Sequence, residues 1–242
     1  MARRYLAFDI ETAKVLPADV SDVLANRPLG IACAAAVASD GGEPLVWHGN
    51  AGGVPAARMA PEEVCAMIVD LTERVDDGYT LVTWNGLSFD LNILAEESGL
   101  SVECGTLALG HVDMMFHVVC ALGHYISLGK AAEAFGIPGK AGGMSGHQAP
   151  VLWAAGEHAK VIDYNVQDAR LTLTVAEEAE RRGRLQWITR RERVGTMPLA
   201  RGWQCVGDAC RMPLPDTSWM SDPPSRDGCM AWVPPVCRES LP

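Results

Sequence analysis

The chain has 242 residues, 48% of them hydrophobic and 21% charged, with eight cysteines and a net charge of −10. That is enough for one sizeable core plus an extension, and no apolar run approaches the ~18–20 residues of a membrane span. The acidic balance disfavours nonspecific binding to nucleic acid, though basic residues can be gathered locally. The apolar stretch after Arg3 and Arg4 is short and carries Asp9 and Glu11, so no secretory leader is expected. Cys33, Cys65, Cys104 and Cys120 fall inside apolar patterns and read as reduced thiols, which leads to an expected cytoplasmic location.

In residues 5–12, Leu6, Phe8 and Ile10 alternate with Ala7, Asp9 and Glu11, the period of a strand. The apolar set would face a core and both carboxylates would project from the other face. Two neighbouring acids repel, and a divalent cation is the usual remedy. Residues 29–39 form a second strand rich in small side chains. A turn at Asp40, Gly41 and Gly42 leads to a third strand over 43–49, so these two should pair as a hairpin. Pro61, Glu62 and Glu63 open a helix, with Val64, Met67, Ile68 and Leu71 at helical spacing behind them. Residues 80–84 form a fourth strand, followed by Asn85-Gly86 and then by Ser88 as an expected helix cap.

Helices are expected over 113–120 and 128–135, then a Gly-rich loop over 139–146, then a long helix over 158–182. A meander of strands followed by strand–helix alternation reads as an α/β domain with a mixed central sheet flanked by helices. After residue 196 the composition shifts, with eight of the fifteen prolines and three of the seven tryptophans. The chain therefore divides into a domain over 1–195 and an irregular Pro/Trp-rich extension over 196–242. Trp203, Trp219 and Trp232 would dock that extension on the domain or on a second subunit.

Two further acidic motifs follow Asp9 and Glu11. Asp90 ends Asn85-Gly86-Leu87-Ser88-Phe89-Asp90, at a sheet edge where a helix opens. Asp168 ends Tyr164-Asn165-Val166-Gln167-Asp168, where the i, i+4 spacing puts the Tyr164 hydroxyl and the Asp168 carboxylate on one helix face. Taken in this order, the three motifs resemble those of the DEDD superfamily of 3′–5′ exonucleases in its tyrosine form. The resemblance covers about residues 4–182 and is closest to the proofreading domain of family-B DNA polymerases, here without a polymerase segment. It implies a ribonuclease H-like fold.

The resemblance also implies metal-dependent hydrolysis at the 3′ end of single-stranded nucleic acid, DNA before RNA, with two Mg²⁺ or Mn²⁺ ions as cofactors. Asp9 would bridge the two ions. Glu11 and Asp168 would hold the one carrying the attacking water, Asp90 would support the other, and Tyr164 would orient the water. Asn85 is a further substrate-binding candidate. Phe89 either stacks on the terminal base or fills the core behind it. Lys140 either meets a phosphate or is solvated. The histidine form of the family does not fit, because Asp163 stands five residues before Asp168.

Asp113 reads either as a metal ligand or as a buried hydrogen-bonding group. Arg181, Arg182, Arg184, Arg190, Arg191 and Arg193 form the most basic stretch, which either tracks a strand of nucleic acid or is a solvated helix end. Cys205, Cys210, Cys229 and Cys237 are spaced more loosely than the ligand pairs of structural zinc sites. The alternative functions are an exoribonuclease, a structure-specific nuclease on RNA, or a non-catalytic nucleic-acid-binding proofreading module. No reader of a 2′-hydroxyl is recognisable. All four acids are present, against the non-catalytic reading.

Overall fold

Strand β1, Arg4–Thr12, is the middle strand of a five-stranded sheet in the computed structural model, which describes residues 3–20, 22–139 and 146–239. After it come β2 (Ile31–Ala38), β3 (Leu45–His48) and two two-residue strands, β4 (Asn50–Ala51) and β5 (Val54–Pro55). Then follow α1 (Pro61–Asp76), β6 (Tyr79–Thr83), α2 (Asp90–Ser98), α3 (Ser101–Gly110) and β7 (Val112–Asp113). Helices α4 (Met114–Leu122), α5 (Leu128–Phe135), α6 (Ala149–Ala154) and α7 (His158–Arg182) complete the domain's helical part. A hairpin of β8 (Arg184–Ile188) and β9 (Val194–Pro198) and three short helices, α8 (Val206–Ala209), α9 (Arg226–Cys229) and α10 (Pro235–Glu239), end the chain.

The sheet order is β3-β2-β1-β6-β7. Strands β2 and β3 pair antiparallel, as the short turn requires, and β2 pairs antiparallel with β1. Strand β6 returns parallel to β1 after the α1 crossover, and β7 pairs parallel with β6. The result is a mixed sheet with helices on both faces, a ribonuclease H-like arrangement.

The alternation of β1 sorts its side chains between two cores. Leu6, Phe8 and Ile10 pack with Met67, Leu71 and Leu94 of α1 and α2. Tyr5 and Ala7 lie on the opposite face, with Val118 of α4, Phe135 of α5 and Ala176 of α7. The acidic face of β1 is therefore covered, and Asp9 and Glu11 sit where that second core gives way to α7. The small residues of β2 matter here. Ala35 packs against Val166 and Ala169 of α7, so the long helix comes close to the sheet and carries Tyr164 and Asp168 with it.

The segment after α7 is more structured than its prolines suggest, because β9 and three short helices break its irregular run. Trp203 is fully buried, its indole N–H donating to the Ala176 carbonyl at 3.0 Å. Trp232 donates to the Leu87 carbonyl at 2.7 Å. Trp219 departs from the expected anchoring role: it is 67% exposed. Ser88 departs as well, since α2 begins at Asp90 with Phe89 in the capping position and no side-chain cap. The loop there is held by other groups, described next.

Candidate active site

Three carboxylates converge where β1 meets α7. Asp9, Glu11 and Asp168 each offer an oxygen, and these oxygens all lie within 4.8 Å of one another. Asp9 is half-buried, while Glu11 and Asp168 are buried. Among the described residues this is the one gathered set of three or more metal-ligand side chains. The four tail cysteines form no such group, and every cysteine is a free thiol. The field of the cluster reaches Cys33 across the strand pair: burial chiefly, then the charges of Glu11 and Asp9, push its thiol well above the usual range. Three acids at this separation, all with hard oxygen donors, could hold a divalent metal ion.

Asp90 stands beside this group but not in it. One of its oxygens accepts the backbone N–H of Ile10 at 3.0 Å, which ties the start of α2 to β1 between the two acids of that strand. Burial pushes the Asp90 carboxyl up to about 7. A cation beside it would favour the ionised form.

The turn that delivers Asp90 is built from backbone and from Asp113. Asn85 takes a left-handed φ of 74°, and a side chain at Gly86 would collide with the Thr83 hydroxyl. Asp113 accepts N–H groups from Asn85 at 3.0 Å, Leu87 at 2.9 Å and Phe116 at 3.0 Å. Its carboxylate thus caps α4 and holds the turn in place. Asp113 is a buried hydrogen-bonding group, and it is not one of the clustered donors. Its neighbour His111 is locked between Thr83 and the Ala108 carbonyl, and burial lowers its pKa.

These residues border a cavity of about 290 Å³, lined by Asp9, Glu11, Asp90 and Asp168 together with Asn85, Phe89 and Tyr164. Lys140 falls outside the described residues, and Asp113 does not line the cavity. Phe89 both lines the cavity and packs against the core behind it. Lys14, Trp84 and His147 also border the cavity, and no motif had marked them.

The residue that sequence reasoning passed over is Asn165. It is fully buried, and its amide donates to Asp9 Oδ2 at 2.7 Å. That bond orients one oxygen of Asp9 from the helix that also carries Asp168. Its signal lay inside the third motif, three residues before Asp168 and one after Tyr164.

The RNase_H superfamily profile matches residues 54–180, a stretch that takes in Asp90, Tyr164 and Asp168. No curated protein sequence matches the chain. Among solved structures, the family B DNA polymerase from the hyperthermophilic archaeon Pyrobaculum calidifontis superposes with a TM-score of 0.53 at 22% identity. The match covers 74% of this chain and 25% of the polymerase. Fold and profile support a nuclease-type function. The chain belongs to the RNase H superfamily.

Proposed function

We propose that this chain is a 3′–5′ exonuclease that trims single-stranded nucleic acid, with DNA as the preferred substrate and two Mg²⁺ or Mn²⁺ ions as cofactors. The observation that carries the reading is the convergence of Asp9, Glu11 and Asp168 within 4.8 Å, in a cavity also lined by Asp90 and Tyr164. These four acids would hold the cations. When bound, the cations supply a water activated near neutral pH and a charge sink for the departing oxyanion.

The remaining work falls to the chain's own groups. Hydrolysis joins the water oxygen to phosphorus and breaks the bond from phosphorus to the 3′ oxygen of the preceding nucleotide. The proton passes to that oxygen, leaving a 3′-hydroxyl and a free nucleoside 5′-monophosphate. Tyr164 positions the water through its hydroxyl. Asn165 fixes the rotation of Asp9. Phe89, with Leu16 and Val23 on the same cavity, gives the terminal base an apolar seat. The extension over 196–242 braces the domain over 1–195, since the Trp232 indole holds the Leu87 carbonyl in the turn before Asp90.

The test uses single-stranded DNA and RNA labelled at either end, with Mg²⁺ or Mn²⁺. A 5′-labelled strand should shorten as a ladder, and a 3′-labelled strand should release mononucleotide at once. EDTA should stop both. Tyr164→Phe should slow single-turnover cleavage about 10²–10³-fold with metal affinity unchanged. Internal cuts, full activity in EDTA or preference for RNA would each overturn the corresponding part of the reading.

A further inference from the structure

A second cavity, a groove of about 680 Å³, opens where the turn after α4 meets the tip of the β8–β9 hairpin. Its lining includes His124, Tyr125, Lys130, Trp187, Arg190 and Trp219. The rings form a series: His124 stands edge-on to Trp187 at 6.2 Å and to Trp219 at 6.3 Å. Trp219 is 67% exposed and Tyr125 57%. Exposed aromatic surface on this scale marks a binding region more often than an accident of packing.

The rings are set in place. The Trp219 indole N–H donates to the Asp216 carbonyl of its own turn at 3.2 Å. Trp187 lies against the backbone of Gly195, where any Cβ would collide with the indole. The hairpin has been built to take that ring.

Charge singles out the same place. Arg190, Arg191 and Arg193 crowd the tip of the hairpin in a chain of net charge −10. Among the described residues, none of the three forms a salt bridge. Lys130 adds a cation, shared with Glu133 at 2.7 Å. Presented rings beside guanidinium groups with no carboxylate partner fit a single strand of nucleic acid: bases stack on the rings and phosphates meet the cations. A duplex, whose bases are already stacked on one another, would gain little from the rings.

We propose that this groove binds single-stranded nucleic acid upstream of the 3′ end, as a second site separate from the acidic cavity. The proposal rests on the nuclease reading for its context. Helix α4 has its first end at Asp113, beside the turn that delivers Asp90, and the groove lies past its other end. Its nine residues separate the two by roughly 14 Å. The shortest substrates fill the cavity alone, and a longer strand reaches both sites.

The experiment measures binding of a fluorescein-labelled oligothymidylate to the full chain in EDTA, across a salt series, for wild type, Trp219→Ala and Arg190→Gln. Trp219→Ala should weaken binding about tenfold, the value of one stacked base. Arg190→Gln should weaken it too and lower the salt slope by about one. Dinucleotide hydrolysis with Mg²⁺ is measured alongside and tests the acidic site alone, so binding without turnover separates failure of the nuclease reading from failure of the groove. Absence of wild-type binding, or affinities unchanged in both variants, overturns the proposal. So does an equal loss in dinucleotide hydrolysis, which would mean that Trp219 acts through the fold. Self-association of the wild type that Trp219→Ala removes would assign the groove to a second copy instead.

Discussion

The region around Asp168 and the seam around Trp203 treat polar groups in opposite ways. At Asp168, three carboxylates are drawn together within 4.8 Å, against their mutual repulsion. At the seam, the terminal nitrogens of Arg226, two indoles and the Asp113 carboxylate meet partners of the opposite kind. Arg226 donates to the carbonyls of Cys120, Cys210, Met212 and Pro213. Trp203 and Trp232 each donate to a buried carbonyl, and Asp113 accepts three backbone N–H groups. The difference teaches where this fold tolerates electrostatic cost. A carboxylate ringed by backbone donors serves the scaffold, and one facing other carboxylates carries a repulsion that a bound cation would offset.

The largest expected effect comes from breaking the first region. Asp168→Ala should lower single-turnover cleavage by at least about 10³-fold. The metal-free protein should keep or gain stability in urea, because one repelling charge has gone. A variant that unfolds would make Asp168 a scaffold acid and erase the contrast. Asp113→Ala should do the reverse. Three N–H groups lose their acceptor, and unfolding stability should fall by about 3 kcal/mol or more. A loss within about 0.5 kcal/mol would show that water replaces the carboxylate, and that the seam is less closed than its bonding suggests.

The smallest effect sharpens the comparison through pH. His117 is buried, its ring nitrogen accepts the Gln204 N–H at 3.3 Å, and burial pushes its pKa down to about 4. In the unfolded chain it returns to about 6.5, so between these values the unfolded state binds more protons. Stability from this group is therefore complete above about 6.5 and is lost as pH falls toward 4. By pH ~5 the loss should reach roughly 2 kcal/mol. His117→Gln keeps an acceptor and cannot titrate, so its urea stability should lose that part of the slope. An unchanged slope would move the acid sensitivity to other groups.

Much of this was legible in residue order because the deciding interactions are local. The period-2 run of β1 placed Asp9 and Glu11 on one face, and helical spacing placed Tyr164 with Asp168. The boundaries of α5 and α7 coincide with those expected from the sequence. Ser88 was misread because its residue type favours a cap, whereas α2 opens two residues later behind Phe89 and the turn before it is set by Asp113, 26 and 28 residues from its donors.

What residue order left undetermined depends on partners far along the chain. Its motifs named the acids, and only packing of α7 on the small residues of β2 brought Asp168 to Asp9 and Glu11 and left Asp90 facing the Ile10 N–H instead. Asn165 meets Asp9 across 156 residues, and its place in the third motif does not say which acid it bonds. The aromatic groove draws His124, Trp187 and Trp219 from three separate segments. Periodicity and turn chemistry act over a few residues and can be read one stretch at a time. Which stretches then touch is settled by the burial of both sheet faces at once, a property of the whole chain.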